Sequence, residues 1–559
     1  MPEPGIFFAT ILPVLGFTYL VIRRRTLLLF LAFCVTAFLG YWLARSAAPR
    51  EVVRNSPPPA EPKRTVIVNE EAPKFRRGER KPVFRRDEEA AESGALPGQR
   101  VLVFKDRSAL EDFLKRAGDR VRLMGRLDAL NALRIGFLNY DDLASLLDGD
   151  EESSMIFPVD VPTNSEGKAQ DGAVALGAGL LDWLGITQDN STWGKGVRIA
   201  VLDTGVVSNA AFKNKITSYD LVGPPADPAL QNGHGTAVAS MISGQGTLTP
   251  GVAPDSDIIS VRIANDLGQS DSFLLAKGIV AAVDAGSQLI NISMGSFGDS
   301  AIVRNAIEYA RASGALIIAA AGNNGTDKVT YPAANDGVLA VGAVDAMGNH
   351  MDFSNTGNQL AISAPGFGVN AAWLGDEAAS VSGTSFSSPI VAGAIAAIMT
   401  QSGTTNITAR QAADLLFSYL NDAGNAGPDA TFGSGMPDIG RVLNSKTPGI
   451  YDAAVASQRI VPPSAGAPYG QIEVLIQNRG TEPLVNTSVS VSTSAGTTNT
   501  NITTLAPNAV QTVRIPISQG AAGGTTSLRY DSSVRLSGGV QDSKPSNDRR
   551  VDQYVPAGS

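Results

Sequence analysis

The sequence predicts a multi-domain α/β protein, in which a parallel sheet covered by helices follows a small ferredoxin-like α+β unit and precedes a β-sandwich. Three observations predict it. Between 197 and 321 apolar strand-like runs alternate with helical ones, the pattern of parallel strands joined by crossover helices. Residues 100 to 161 carry a compact β-α-β-β-α-β rhythm. From about Ser464 onward, short alternating strands are separated by turns bearing Gly, Asn and Pro.

Composition sets the outer limits. A chain of 559 residues exceeds one compact core. Its 43% apolar and 18% charged residues suit globular domains, and a formal net charge of −8 argues against nucleic acid as a partner. The single cysteine, Cys34, excludes intramolecular disulfides. With only two histidines there is no zinc-ligand spacing, which removes metallopeptidase chemistry.

Residues 1–45 read as N-terminal transmembrane segments. Ile6 to Ile22 is nearly free of charge, Arg23-Arg24-Arg25 interrupts, and Thr26 to Ala44 is apolar again with Tyr41-Trp42 near its end. A cleaved signal peptide with Leu27 to Leu43 as its apolar region is the alternative. A cut near Ala48 would leave Pro49 first, which disfavours it, so an uncleaved anchor is expected. Arg45, Arg50 and Arg54 follow the second run and nearly cancel the orientation signal of the first three arginines. Residues 46–98 read as a disordered linker, with Pro57-Pro58-Pro59, mixed charge runs and too few apolar residues to offset ordering.

In the unit 99–162, strands are expected at Val101–Phe104, Val121–Met124, Leu133–Phe137 and Ser154–Pro158. Helices are expected at Ser108–Ala117 and Asp141–Leu147. The polar, then Gly- and Ala-rich stretch from Pro162 to Gly177 suits an exposed junction. The main unit spans 163–447, with strand and helix runs at Asp257–Ile263, Leu274–Ala285, Gln288–Ser293, Val303–Ser313 and Ala315–Ala321.

Three short motifs carry the chemistry. Ser385 in Gly383-Thr384-Ser385 leads into a small apolar stretch and reads as a nucleophile on the first turn of a buried helix, where free N–H groups face a developing anion. A serine hydroxyl needs a base within hydrogen-bond reach, itself oriented by a third group. His234 in Asn232-Gly233-His234-Gly235-Thr236 is that base, because the other histidine, His350, follows Met347-Gly348-Asn349 in what reads as a solvated turn. Asp203 ends the apolar run Val197–Leu202, which places a carboxylate at the carboxyl edge of a parallel sheet, where open α/β folds build their sites.

The order Asp, His, Ser resembles that of the subtilisin-like serine peptidases, the subtilases. The resemblance covers roughly Leu180 to Asn444 and includes Ala319-Ala320-Ala321-Gly322-Asn323, which matches the family's oxyanion-hole segment. It implies a subtilisin-like fold and a serine endopeptidase acting on protein or peptide substrates through an acyl-enzyme. Asn323 would donate to the oxyanion, and Asn324 would not. Ser293-Met294-Gly295 would pair with the substrate backbone, Ala320-Ala321-Gly322 would form the opposite wall of the specificity pocket, and Thr330 its uncharged floor. The acid-acting sedolisins place Glu where His234 stands and are excluded.

Further expectations come from the same resemblance. The unit 99–162 resembles the subtilase propeptide, an intramolecular inhibitor, so an autoprocessed zymogen is implied, cut somewhere between Pro162 and Ala175. The catalytic domain would lie outside the cytoplasmic membrane, held by the N-terminus. No cofactor is identified; a structural calcium ion is common in the family, with ligands unknown here. The segment 464–556 resembles sandwich modules of bacterial surface proteins, as binding module or structural cap. An inactive scaffold or adhesion protein is the alternative function, which intact Asp203, His234, Asn323 and Ser385 disfavour.

Overall fold

The computed structural model describes residues 90, 92–149, 151–162, 170, 172–213, 216–223, 231–401, 403, 407–462, 470–517 and 527–555. The expected transmembrane segments and nearly all of the expected linker lie outside the described residues, and no described helix is long and apolar enough to cross a membrane.

The first folded unit holds β1 (Gln99–Phe104), α1 (Arg107–Ala117), β2 (Arg122–Leu127), β3 (Ala132–Gly136), α2 (Tyr140–Ala144) and β4 (Glu151–Ser154). They form an antiparallel sheet in the order β2-β3-β1-β4. Asp106 starts α1 by accepting from Ala109 N–H, and Leu110 and Phe113 fill the space between helix and sheet. The last strand differs from expectation. It is Glu151–Ser154, and the apolar residues after it leave this sheet: β5 (Pro158–Asp160) pairs with a strand of the next unit.

That next unit is built on a seven-stranded parallel sheet in the order β13-β12-β11-β10-β6-β8-β7. Its strands are β6 (Arg198–Asp203), β7 (Thr217–Asp220), β8 (Asp257–Arg262), β10 (Leu289–Ile292), β11 (Leu316–Ala320), β12 (Val338–Val344) and β13 (Leu360–Pro365). The central strands Leu289–Ile292 and Leu316–Ala320 are buried throughout, as two covered faces require. After the short α3 (Leu180–Trp183), one face carries α4 (His234–Ser243) and α7 (Thr384–Gln401), and the other carries α5 (Ser272–Asp284) and α6 (Ala301–Ala312). β9 (Gln269–Asp271) precedes α5, and the hairpin β14 (Val369–Ala372) to β15 (Ala378–Val381) precedes α7. Helices α8 (Ala409–Phe417) and α9 (Ile439–Asn444) close the unit.

The two units share a core: Val101, Leu127, Ala132 and Ile156 pack with Phe273, Leu275 and Ile279 on the outer face of the large sheet.

The C-terminal unit is two packed antiparallel sheets, β16-β17-β20 and β19-β18-β21-β22. Their ranges are β16 (Ala453–Val461), β17 (Gly470–Asn478), β18 (Leu484–Thr493), β19 (Gly496–Leu505), β20 (Val510–Ile517), β21 (Leu528–Arg535) and β22 (Arg549–Tyr554). The first strand begins at Ala453, ahead of the expected start at 464, because Ala453–Val461 pairs along its length with β17. Arg441 of α9 ties this unit to the large one. Its guanidinium donates to Tyr419 O, Leu420 O and Asn421 Oδ1 on one side, and to Arg479 O and Asn508 Oδ1 on the other.

Candidate active site

Asp203 is the last residue of β6 and is fully buried. His234 opens α4, with its N–H held by Asn232 Oδ1 at 3.0 Å. The two meet at the carboxyl end of the sheet, where His234 Nδ1 lies 2.8 Å from Asp203 Oδ1 and 3.0 Å from Oδ2. Local chemistry fixes both partners. Thr204 donates from its backbone N–H (2.7 Å) and its hydroxyl (3.2 Å) to Asp203 Oδ1, and its Oγ1 accepts from Gly235 N–H. Glycine is required beside His234, since a Cβ at 235 would run into the Gly205 carbonyl.

Ser385 is the second residue of α7, a helix buried from Thr384 to Met399. Pro389 four residues on has no N–H, so the Ser385 carbonyl lacks its intrahelical donor. The Ser293 hydroxyl supplies that bond at 2.7 Å and is itself held by Asn291 Nδ2 at 2.9 Å. The Ser385 hydroxyl donates to Ser293 O at 3.2 Å, while His234 Nε2 is buried and makes no hydrogen bond. The imidazole packs against Phe386, with ring centroids 5.3 Å apart, one residue from Ser385. A turn of the Ser385 hydroxyl away from Ser293 is what a His–Ser hydrogen bond requires, and such bonds commonly tighten only on substrate binding.

Asn323 follows β11. Its Oδ1 accepts from Thr384 N–H (2.9 Å) and Thr384 Oγ1 (2.7 Å), which turns the amide NH2 toward Gly383 at the start of the Ser385 helix. Asn324 borders the neighbouring cleft cavity instead. It is exposed, and its N–H and amide oxygen are tied to the Asn355 side chain.

Met294, Gly295, Ala320, Gly322 and Thr330 line a cavity of about 630 Å³ beside these residues. Gly295 and Gly322 keep it open, since a Cβ on either would collide with Thr330. One expected wall residue does not line it: Ala321 is turned into the core, where its carbonyl holds Thr330 N–H and Oγ1. The side chain of Ser293, a residue expected to act through its backbone, lies behind Ser385. His350, expected in solvent, is half-buried with its ring edge-on to Phe432 at 6.1 Å, and burial lowers its pKa. Among the described residues, no group of three or more His, Cys, Asp or Glu side chains is placed to hold a metal ion.

The cleft already holds a segment of the chain itself. β5 runs antiparallel to β9, and Asp160 exchanges both backbone hydrogen bonds with Gly295 (3.3 and 3.2 Å). Val161 N–H donates to Gly268 O at 2.8 Å, and Pro162 touches both the cavity beside Gly322 and a second one beside His234. Sequence reasoning missed this strand, since it read Pro158 as the end of the small sheet. It also missed Trp373 and Leu374 at the tip of the β14–β15 hairpin, which no motif marks.

The sequence profile of the Subtilase family matches residues 194–435. A thermostable alkaline protease of Halalkalibacterium halodurans is 36% identical over 254 residues, 44% of this chain and 68% of that one. Subtilisin DY of Bacillus licheniformis is 32% identical over 252 residues, 44% of this chain and 90% of that one. Among solved structures, the epidermin leader peptide processing serine protease of Staphylococcus aureus superposes with a TM-score of 0.52 at 21% identity. That match covers 62% of this chain and 98% of the other, a likeness of fold.

Proposed function

Because this chain belongs to the subtilase family of serine endopeptidases, we propose that Asp203, His234 and Ser385 form its catalytic triad and that it is made as a self-processing, membrane-tethered zymogen. The observation that carries the triad is the buried Asp203–His234 pair at 2.8 Å beside the first turn of the Ser385 helix. His234 Nε2 takes the proton of the Ser385 hydroxyl as Oγ bonds to the substrate carbonyl carbon. The same proton goes to the departing amine, and water then releases the acyl group from Oγ. Asp203 holds the imidazole by Nδ1 and stabilises its charged form. The amide of Asn323 and the Ser385 N–H donate to the oxyanion, at charge that exists only near the transition state. The cavity bounded by Met294, Gly295, Ala320, Gly322 and Thr330 favours a medium apolar side chain on the acyl side; once the strand bearing Asp160 leaves, Lys328 is the charged residue on its lining, which offers no counter-charge to Lys or Arg.

The zymogen reading is supported by the strand Pro158–Asp160 in the cleft and by the core the small unit shares with the large one. Residues 163–169 and 171, within the expected cleavage interval, lie outside the described residues. The tether and an extracytoplasmic catalytic domain rest on the apolar runs Ile6 to Ile22 and Thr26 to Ala44. Reporter fusions after Gly98 test the orientation; activity only of a cytoplasm-dependent reporter would overturn it.

The experiment for the whole reading compares wild type with Ser385→Ala by N-terminal sequencing and by hydrolysis of casein. Wild type should yield a shortened chain and peptides, and the variant a full-length inert one. Normal maturation of the variant would assign processing to another enzyme.

A further inference from the structure

Asn323 sits in a stretch without helix or strand. From Ala321 to Lys328 the chain forms no regular ladder, and from Asn324 to Lys328 it is exposed. Gly322 and Gly325 bracket the two asparagines with φ of 108° and 62°, a region that glycine enters without strain. A donor that acts on transition-state charge must nevertheless be held to within about half an ångström. Thr384 fixes the Asn323 side chain and, through its Oγ1, the Gly322 N–H. The backbone on the other side of Asn323 needs an anchor of its own.

Asn355 supplies it. Its side chain is fully buried behind the loop, and its polar groups are engaged there. Oδ1 accepts from Asn324 N–H at 2.9 Å and from Thr326 N–H at 3.2 Å, after Asn323, while Nδ2 donates to Ala321 O at 3.2 Å, before it. The Asn355 N–H donates to Gly322 O at 3.0 Å. The amide also fills the space under Gly322, where a Cβ would meet Nδ2. Neighbouring backbone extends the grip: Gly325 N–H donates to Phe353 O at 2.8 Å and Thr356 N–H to Thr326 O at 2.9 Å. None of the side-chain bonds of Asn355 goes to Asn323 or Ser385.

The loop dictates the chemistry of the residue that holds it. It presents N–H groups on one side of Asn323 and a carbonyl on the other, so the gripping group must accept and donate at once inside a buried space. An amide does both, a carboxylate only accepts, and an alkyl group does neither.

We infer that Asn355 is a positioning residue of the oxyanion hole: it sets the backbone from which Asn323 aims its amide, and so acts on the transition state through Asn323. This rests on the peptidase reading above and deepens it. A misplacement of about 1 Å near a reacting centre costs up to roughly 10²-fold in rate, so loss of Asn355 should lower kcat by about 10- to 100-fold. Ground-state binding does not use that donor, so KM should stay within about twofold.

The test is a double-mutant cycle in kcat on processed chains cleaving one peptide substrate, built from Asn355→Ala and Asn323→Ala. Variants that mature slowly are cut by immobilised wild-type chain. Asn355→Ala should lower kcat with KM nearly unchanged, and should cost less than about twofold once position 323 is already alanine, because the group it aims is gone. Asn355→Ser, which keeps a neutral hydrogen-bonding group and endangers folding less, should fall between. Ser354→Ala removes the neighbouring buried hydroxyl, which accepts from Ala343 N–H at 3.0 Å and not from the loop, and should leave kcat unchanged. Equal losses in both backgrounds, a loss carried by KM, or a matching loss in Ser354→Ala would overturn the assignment. Failure of both Asn355 variants to fold would overturn it too, since the residue would then serve the fold alone. Full kcat in Asn323→Ala would instead overturn the oxyanion reading, and this inference with it.

Discussion

Arg134 of the small unit places Nη1 2.7 Å from Oδ2 of Asp271 in the large one, both largely shielded from solvent. Asp271 is already the N-cap of α5, accepting from Phe273 and Leu274 N–H, and ends the strand that pairs with Pro158–Asp160. One carboxylate thus joins the helix, the cleft edge and the small unit. Arg134→Gln should loosen that unit by about 2 kcal/mol, somewhat below the range for breaking a fully buried pair because the site keeps some solvent. The lag before full activity should shorten after processing. Asp271→Asn keeps the cap and loses the charge, so a double-mutant cycle on the lag isolates the pair; a coupling near zero would refute it.

Glu151 opens β4 with its side chain almost wholly buried, and burial, then the Asp148 side chain, pushes its pKa up to about 7. A folded-state pKa above the unfolded 4.5 favours the fold fully below that value and is lost as pH rises toward 7. Relative to Glu151→Gln, the wild-type small unit should therefore match in stability near pH 4 and become the less stable of the two by pH 8. Limited proteolysis of both chains across that range checks it, and parallel curves would count against a buried neutral Glu151.

The oxyanion assignment separates two adjacent asparagines. Asn323→Ala should lower kcat by roughly 10² to 10³ with little change in KM, a magnitude carried over from a subtilisin lacking one such donor. Asn324→Ala should be mild, since its side chain is tied to Asn355. Steady-state kinetics on processed variants decide this, and a larger kcat loss at Asn324 would shift the oxyanion segment by one residue.

Arg441 bridges the large unit and the sandwich from a buried position, and desolvation, with Arg479 nearby, pulls its pKa down to about 10. Removing it leaves carbonyls on both sides without donors. Arg441→Leu should cost about 3 kcal/mol and lower one cooperative calorimetric transition shared by both units. Two independent transitions in wild type would show instead that the sandwich is a detachable module.

What the sequence made legible was what local pattern controls. β6, β8, β10 and β11, α5 and α6 stand close to where apolar periodicity puts them, and Asp203, His234 and Ser385 sit on motifs that announce a strand end or a helix start. The misses are tertiary. Ser154–Pro158 has the composition of a strand, but pairing with β9, eleven tens of residues downstream in round terms, decides where its apolar residues go. Ala321 alternates into the core instead of the cavity. Trp373 gains a role only because a hairpin tip folds back over Gly233, and Ser293 acts behind Ser385 because Pro389 leaves a carbonyl unpaired.

The most direct test of the central claim is covalent labelling of the processed chain with a fluorophosphonate, followed by peptide mass spectrometry. Phosphonylation of a hydroxyl at neutral pH requires the base and oxyanion donors of a working triad. The account predicts one adduct, on Ser385, that forms in proportion to lost peptidase activity and is absent in His234→Ala. Peptidase activity that survives full labelling of Ser385, or that is lost through an adduct on another residue, would contradict it.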